Sequence, residues 1–593
     1  MTDSPTNTTL AGRDDERRKF TVDDLLSIDE FPQYYGKACA FSPDRTAVCF
    51  AVIRSLRSGV RFDRQFLGGL DRAELHLFDL TRRTGRRLAG NAEQGQACFA
   101  PSWSPDGRFI AAASASTDDC AITPVLIEAA TGRVTPMTAS QSVDITVFTV
   151  DGSFLWLDRN RVAMPLLADG ETPVVSHLQR RLFDHAAARW AESSRGLRPT
   201  ADVLDSASFD APQEPPPEWR LFDIEAHTLR ALSDDERVET ERLRAAREAN
   251  PPAPPDPAGA RARANDHPEW ERVAVDESGR YAAFIAQDAD ATRLLVRTPD
   301  SPEPTIVFET NRWFRDIRAG ETRRLACRGP APGQDRLVDV LLPPDFSGTP
   351  VPAVVWIYPG SEVKGRRRTL HDISCPAPFN FQLLAAHGYA VIEVSMTDSL
   401  KASPPAIADL MADDVRAAVN AAVDAGYADP ARLHVYGQSL GGWAAMMLLA
   451  HTSMFRSGIA SAGISDPAAL YTSLDPRTRY ETTGSGRRER FELVGKTLCD
   501  NSWGIDAPPW AAADAYRAIS PIAHADRITA PLLLLHGDAD YVPLEQSERM
   551  FAALTRLKRT VRLVRYWGQD HVPLSPANIA DGHRQRIDWL QST

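Results

Sequence analysis

The 593-residue sequence contains no apolar run near the roughly 20 residues that a membrane helix needs, so a helical membrane span is excluded. Its first stretch, MTDSPTNTTLAGRDDERRKF, is polar and lacks the apolar core of a secretory signal. Residues 1–30 therefore read as a flexible polar leader on a cytoplasmic protein. Cysteine is scarce: the seven residues Cys39, Cys49, Cys98, Cys120, Cys327, Cys375 and Cys499 are odd in number and contain no C-x-x-C pair. That excludes a disulfide framework and a thiolate zinc site and suits a reducing compartment. Basic residues lack any extended cluster beyond short runs such as GRRRT and GRRER, and the net charge is −12, which argues against a nucleic-acid partner. A hydrophobic content of 43% is that of a globular chain, and its length exceeds one ordinary core, so two domains are expected.

The two halves follow different patterns. From about residue 38 a phrase of turn residues leading into a short apolar run recurs: AFSPDRTAVCFAV (40–52), SWSPDGRFIAAAS (102–114), TVDGSFLWL (149–157) and AVDESGRYAAFIA (274–286). Between the copies lie strand-turn-strand phrases, LHLFDLTRRTGRRL (75–88), VLIEAATGRVTPM (125–137) and WRLFDIEAHTLRAL (219–232). Such alternation is what stacked four-stranded blades produce, because each blade needs neighbours to bury its faces. The expectation for residues 31–320 is thus an all-β, β-propeller-like domain of undetermined blade number, with an all-β sandwich as the alternative. Residues 177–267, with charged helical patterns and the Pro/Ala-rich EANPPAPPDPAGARARAND, read as an insertion and mobile linker. After about Glu321, continuously apolar runs such as VPAVVWIYP, YAVIEVS, RLHVYG and PLLLLHG alternate with helix-length segments. That pattern predicts an α/β domain over residues 321–593, built on a mostly parallel, doubly wound sheet.

Within this second half, RLHVYGQSLGGWAAMMLLA (432–450) sets Ser439 between a buried strand and a helix. G-x-S-x-G is weak as a pattern, but strand-turn-helix is the setting of a nucleophile elbow. Glycines 437, 441 and 442 permit a sharp turn there, and the Leu440 N–H lies at the helix start, where it can donate to an oxyanion. A serine needs a base and an orienting acid. Asp540 in LLLLHGDADYVP and His571 in VRYWGQDHVP follow in the chain order of this fold, each just beyond a buried strand. Asp538 and Asp570 compete for the acid. His536, His524 and His583 compete for the base, with His536 read as a strand-end residue held in local hydrogen bonds.

GQSLGG around Ser439, LLLLHGDAD ending at Asp540, YWGQDH ending at His571 and SPIAHADRITAPLLLLHG together resemble the prolyl oligopeptidase family of serine peptidases. Residues 321–593 look like its α/β-hydrolase domain, and the preceding half resembles its propeller. The resemblance implies a further role for Tyr358 in VVWIYPGS, whose hydroxyl would share the oxyanion with the Leu440 N–H. Two departures stand out. One residue rather than two separates the acid from the following valine (Asp540, Tyr541, Val542), and no paired-glutamate signature of the kind dipeptidyl aminopeptidases use is present. Leu470 and Tyr471 in GISDPAALYTSLDPRTRY (463–480), together with Tyr541, are the candidates for substrate contact.

A serine peptidase acting on short or flexible peptides is the leading reading, with no metal or organic cofactor and with homo-oligomerisation left open. An esterase or acyl hydrolase with the same triad, a specialised isopeptidase, and a catalytically silent propeller that only binds are the alternatives.

Overall fold

The computed structural model describes residues 17–32, 38–62, 67–117, 121–144, 153–169, 178–197, 217–249, 270–276, 278–301, 303–329, 335–363, 370–396, 400, 402–476 and 502–593. In the N-terminal half, consecutive strands pair antiparallel into four separate four-stranded sheets. The first comprises Cys39–Phe41, Ala47–Ile53, Ala73–Asp79 and Thr84–Ala89. The second comprises Gln96–Trp103, Phe109–Ser116, Ile122–Glu128 and Val134–Pro136. Leu155–Trp156, Arg161–Leu166, Glu218–Asp223 and Thr228–Ala231 form the third. Glu271–Val275, Ala282–Gln287, Thr292–Arg297 and Thr305–Thr310 form the fourth. These are propeller-like blades, not the two facing sheets of a sandwich.

The repeated phrase has a repeated geometry. Ser42 Oγ donates to Asp44 and accepts from the Ala47 N–H, while Arg45 takes the left-handed conformation. Ser104, Asp106, Gly107 and Phe109 do the same one sheet later, and Asp276 caps the Ser278 to Tyr281 turn in the fourth sheet. Serine and aspartate close these turns with their own side chains. Neighbouring sheets are also stitched together. The Trp103 indole donates to Ala40 O at 3.0 Å and the Trp156 indole to Ser102 O at 3.1 Å, and Arg45 Nε reaches Asp276 at 3.0 Å. Shared apolar cores follow the same order: first with fourth (Phe50, Val52, Ile285, Leu294), first with second (Cys49, Leu75, Ile110, Ile127) and second with third (Ala113, Leu126, Met164, Phe222).

Two expectations are corrected here. Glu218–Asp223 and Thr228–Ala231 are the third and fourth strands of the third sheet, so residues 177–267 are not one insertion. What interrupts the sheets is the stretch holding helix Leu178–Ser194 and the one holding helix Asp234–Ala249. The latter helix is tied to the third sheet by Glu236, which accepts from Arg161 and Arg230 at 2.7 Å each. Most of EANPPAPPDPAGARARAND lies outside the described residues. The second half of the leader is the second correction; residues 1–16 lie outside the described residues. Residues 18–30 are packed: Arg18–Lys19 pairs in parallel with Ile317–Arg318, and Val22–Leu25 forms a helical turn with a Thr21/Asp24 capping box. Phe20, Leu25, Leu26 and Ile28 are buried with Leu56, Phe314, Ile373 and Ile579, a core drawn from both halves. Four apolar residues among charges are enough to strap the two halves together.

The C-terminal half is one eight-stranded sheet, with strands Glu321–Arg328 (β1), Asp335–Leu342 (β2), Val351–Trp356 (β3), Ala390–Val394 (β4), Ala428–Gln438 (β5), Ser457–Ser461 (β6), Leu532–Gly537 (β7) and Val561–Tyr566 (β8). Their spatial order is β1-β2-β4-β3-β5-β6-β7-β8. Only β2 runs against its neighbours; every pair from β4 to β8 is parallel. The central strands are buried on both faces, which is why their sequences are apolar throughout. Among the described residues no helix is long and apolar enough to cross a membrane.

Two histidines in this half carry a pH signature. Burial lowers His434 on β5 to about 4 and His583, beside His387, to about 3. Between those values and about 6.5 the unfolded chain binds protons that the folded one refuses, so stability rises with pH through this window and is lost on acidification. Thermal midpoints should therefore fall as pH drops from about 6.5 to 4, and His583→Gln should flatten that slope relative to its own neutral-pH midpoint; an unaltered slope refutes the assignment.

Candidate active site

β5 runs into helix Leu440–His451 through one residue, Ser439, whose backbone stands at φ 59°, ψ −122°. This conformation is costly for a residue with a side chain, and three glycines make room for it. A Cβ on Gly437 would collide with the Gly441 carbonyl, one on Gly441 with the Ile357 carbonyl, and one on Gly442 would come within 2.8 Å of Gly463 Cα. Ser439 N–H donates to Ser461 O at 2.8 Å on β6, and Ser439 O accepts the first helical bond, from Trp443 N at 3.1 Å. The turn thus fixes Ser439 from both sides and leaves its side chain at the C-terminal edge of the sheet.

β7 and β8 deliver the other two residues. Asp540 is fully buried and presents both carboxylate oxygens to His571 Nδ1, at 2.9 and 3.0 Å. Its Oδ1 also accepts the Val542 N–H at 2.8 Å. Burial opposes the charge on Asp540, but the His571 charge and the hydrogen bonds from His536 and His571 outweigh it and hold the carboxyl well below the ordinary range. The competing carboxylates are spent on backbone: Asp538 accepts from Gly568 N and Asp570 from His571 N, both at 2.6 Å. The two loops are clamped to each other, since Ala539 N donates to Gln569 O at 3.0 Å and a side chain on Gly537 would strike that same carbonyl.

Behind Asp540 lies a residue whose importance the sequence understated. His536 is buried, with Nε2 2.8 Å from Val542 O and 3.3 Å from Asp540 Oδ2, and Nδ1 2.7 Å from Ser547 Oγ. Two acceptors face Nε2, so a proton there and a Ser547 hydroxyl donating to Nδ1 satisfy every contact. The ring is in local hydrogen bonds, as expected of a strand-end histidine, but one of them reaches the acid. The remaining rivals are remote from this cluster: His524 packs on His451 and His583 on His387.

His571 is joined to the elbow through Gln438, whose amide donates to its carbonyl at 3.3 Å. Among the described residues no hydrogen bond joins Ser439 Oγ to the imidazole. Tyr541 lies with its ring centroid 4.4 Å from that of His571, tilted 35°; the single residue between Asp540 and Val542 puts it there. Tyr358 follows β3, is 36% exposed and flanks the elbow, its ring edge lying 3.4 Å from where a Gly441 Cβ would stand. The predicted pocket wall is corrected in part. Leu470 is fully buried in the sheet's core and has no surface left for a ligand. Its neighbour Tyr471 meets Trp510 and Tyr516 edge-on at 5.8 and 6.1 Å. Residues 477–480 of that segment lie outside the described residues. Among the described residues no cluster of three His, Cys, Asp or Glu is arranged for a metal.

The model of the prolyl oligopeptidase family matches residues 377–497 and 495–593. The chain is 28% identical over 221 residues to the uncharacterized peptidase YuxL of Bacillus subtilis (strain 168), covering 35% of this chain and 30% of that protein. It is 27% identical over 269 residues to a probable chloroplastic glutamyl endopeptidase of Oryza sativa subsp. japonica, covering 42% and 25%. The matched stretches are therefore less than a third of those relatives. Among solved structures, the AtxE2 isopeptidase in its apo form superposes with a TM-score of 0.58 at 16% identity over 97% of this chain and 96% of that one. Pyrococcus horikoshii acylaminoacyl peptidase does so with a TM-score of 0.54 at 12% identity over 92% and 94%. At such identities the likeness concerns the fold, a propeller-like half followed by an α/β half. The strained turn at Ser439, the buried Asp540 and His571 occur in order inside residues 377–593, the part of the chain that matches the model of the prolyl oligopeptidase family.

Proposed function

We propose that this chain is a cytoplasmic serine peptidase that cleaves short or flexible peptides through an acyl-enzyme on Ser439, with residues 31–320 as the propeller-like domain and 321–593 as the catalytic one. The observation that carries the reading is the Asp540–His571 couple beside the strained Ser439. With Nδ1–H fixed on the carboxylate, Nε2 is the imidazole's lone-pair nitrogen and the acceptor for the serine proton. Ser439 Oγ then attacks the scissile carbonyl while His571 takes its proton and returns it to the leaving amine. Water, deprotonated by the same ring, cleaves the ester. The Leu440 N–H and the Tyr358 hydroxyl, neither of which has a partner among the described residues, are the donors for the tetrahedral oxyanion. The buried free thiols Cys49, Cys98 and Cys327 suit a reducing compartment. Similarity to peptidases in both halves favours amide over ester substrates.

A fluorophosphonate probe should label the wild type on Ser439 and leave Ser439→Ala unlabelled, and a peptide library read by mass spectrometry should be cut only by the former. Turnover of p-nitrophenyl esters with no peptide cleaved across the library would make the chain an esterase, and absence of labelling would make it a binding protein. Tyr358→Phe should lower kcat by tens to hundreds of fold with a smaller change in KM; an unaltered kcat removes Tyr358 from the mechanism. Ser547→Ala takes away the hydroxyl that orients His536, and loss of one hydrogen bond next to a charged group, about 1.5 kcal/mol, predicts roughly tenfold lower kcat/KM. The acidic limb of its pH profile should move as well, which a purely structural role would not produce, and Ser547→Thr should restore most of the rate.

A further inference from the structure

A cavity of about 550 Å³ lies between the two halves. One wall comes from the catalytic side: Val572 and Leu574 just after His571, and Glu362 and Val363 just after Tyr358. The facing wall comes from the N-terminal half and includes Ile53, the Gly68–Gly69 turn and Arg72. Most of the lining is apolar, and its charged groups differ in how well they are met. Arg324 is held by both oxygens of Asp339 at 2.7 Å. Glu393 faces His371 at 3.1 Å, and Glu30 and Glu362 are engaged with groups of their own.

Arg72 is different. It is 6% exposed, yet among the described residues its guanidinium donates a single hydrogen bond, from Nη1 to the Arg54 carbonyl at 2.7 Å. Among the described residues the one carboxylate paired with it is Asp71, 3.9 Å from Nε, and burial pushes that carboxyl above its ordinary range despite the arginine. Nη2 lies directly under Gly69, where any side chain would collide with it. Gly69, with φ 73°, leaves the room that Nη2 occupies, and both glycines line the cavity. A buried guanidinium with so little counter-charge is costly by itself, and a bidentate carboxylate is its best-matched partner.

We propose that Arg72 is an anion subsite of the substrate cavity and anchors a carboxylate of the peptide, either its C-terminal carboxylate or an acidic side chain. The proposal rests on the peptidase reading. Both walls belong to one cavity, and Val572 in its lining directly follows His571 in the chain, so on this proposal the anchored group lies a few residues along the peptide from the bond presented to Ser439. At about 3.3–3.6 Å per extended residue, a space of this size holds on the order of three residues. The apolar lining receives the intervening side chains, and Arg72 fixes how far the peptide is drawn in.

Two pairs of fluorescently labelled peptides decide the matter: one pair identical except for a C-terminal acid or amide, the other except for an internal Glu or Gln. Full-length Ser439→Ala, which holds substrate without cutting it, is titrated with each by fluorescence anisotropy, alone and combined with Arg72→Gln or Arg72→Lys. The acid-bearing member of one pair should bind at least tenfold more tightly. Arg72→Gln should reduce that ratio to about one, and Arg72→Lys should keep part of it. Preference within the first pair assigns the C-terminal carboxylate, and within the second the acidic side chain. Equal binding in both pairs, or a preference that survives Arg72→Gln, overturns the proposal. Should the glutamine variant fail to fold, the comparison in the Arg72-containing protein and the lysine variant still decide it. Binding to Ser439→Ala is read without catalysis, so a failure of the peptidase reading appears separately, as intact peptides in the wild-type library digest.

Discussion

The sharp turn at Ser439 is the constraint around which the C-terminal half is organised. A residue with a side chain at φ 59°, ψ −122° costs about 1–3 kcal/mol of backbone strain, and that strain persists only because the surroundings leave no alternative. Gly437 and Gly441 must be bare for the strand and helix to approach. β6 must be in register to accept the Ser439 N–H, and Trp443 must anchor the helix through its indole bond to Ile519 O at 2.7 Å. A parallel sheet buried on both faces supplies all three. The order β1-β2-β4-β3-β5-β6-β7-β8 is thus a scaffold that keeps an unfavourable turn in place.

Asp540 and His571 are governed by a different rule. Their loops are clamped by polar contacts: Asp538 on Gly568, Gln569 on Ala539, Asp540 on Val542 and His571. A carboxylate without solvent exposure keeps its charge only if every lone pair is met. Here two imidazoles and a backbone N–H meet them, and Ser547 fixes the more distant ring. The chain of contacts is Ser547, His536, Asp540, His571, and each member determines the orientation of the next.

Much of this was legible in the sequence. Ser-Pro-Asp phrases announced their turns because the side chains that close those turns are themselves the signal, and the continuous apolar runs announced a sheet covered on both faces. Ser439, Asp540 and His571 stand out in the sequence because each lies within a few residues of the end of a strand that the text makes obvious. What escaped was tertiary. Phe20, Leu25, Leu26 and Ile28 are scattered among charges and look like part of a polar leader until the surfaces they cover are known. Leu470 and Tyr471 are adjacent, and no periodicity told which of them faces the core. His536 was recognised as a hydrogen-bonded strand end, but only folding brings Ser547 and Asp540 to opposite sides of its ring.

The four N-terminal sheets share cores in the order fourth, first, second, third. Among the described residues the third and fourth share none; each has a small core of its own. Among the described residues the array is then a linear stack with three cohesive joints between neighbouring sheets. Parting any joint uncovers shared apolar surface. In mechanical terms the described sheets are a chain of four links, stiff at each of three joints and with no shared core between its two end links.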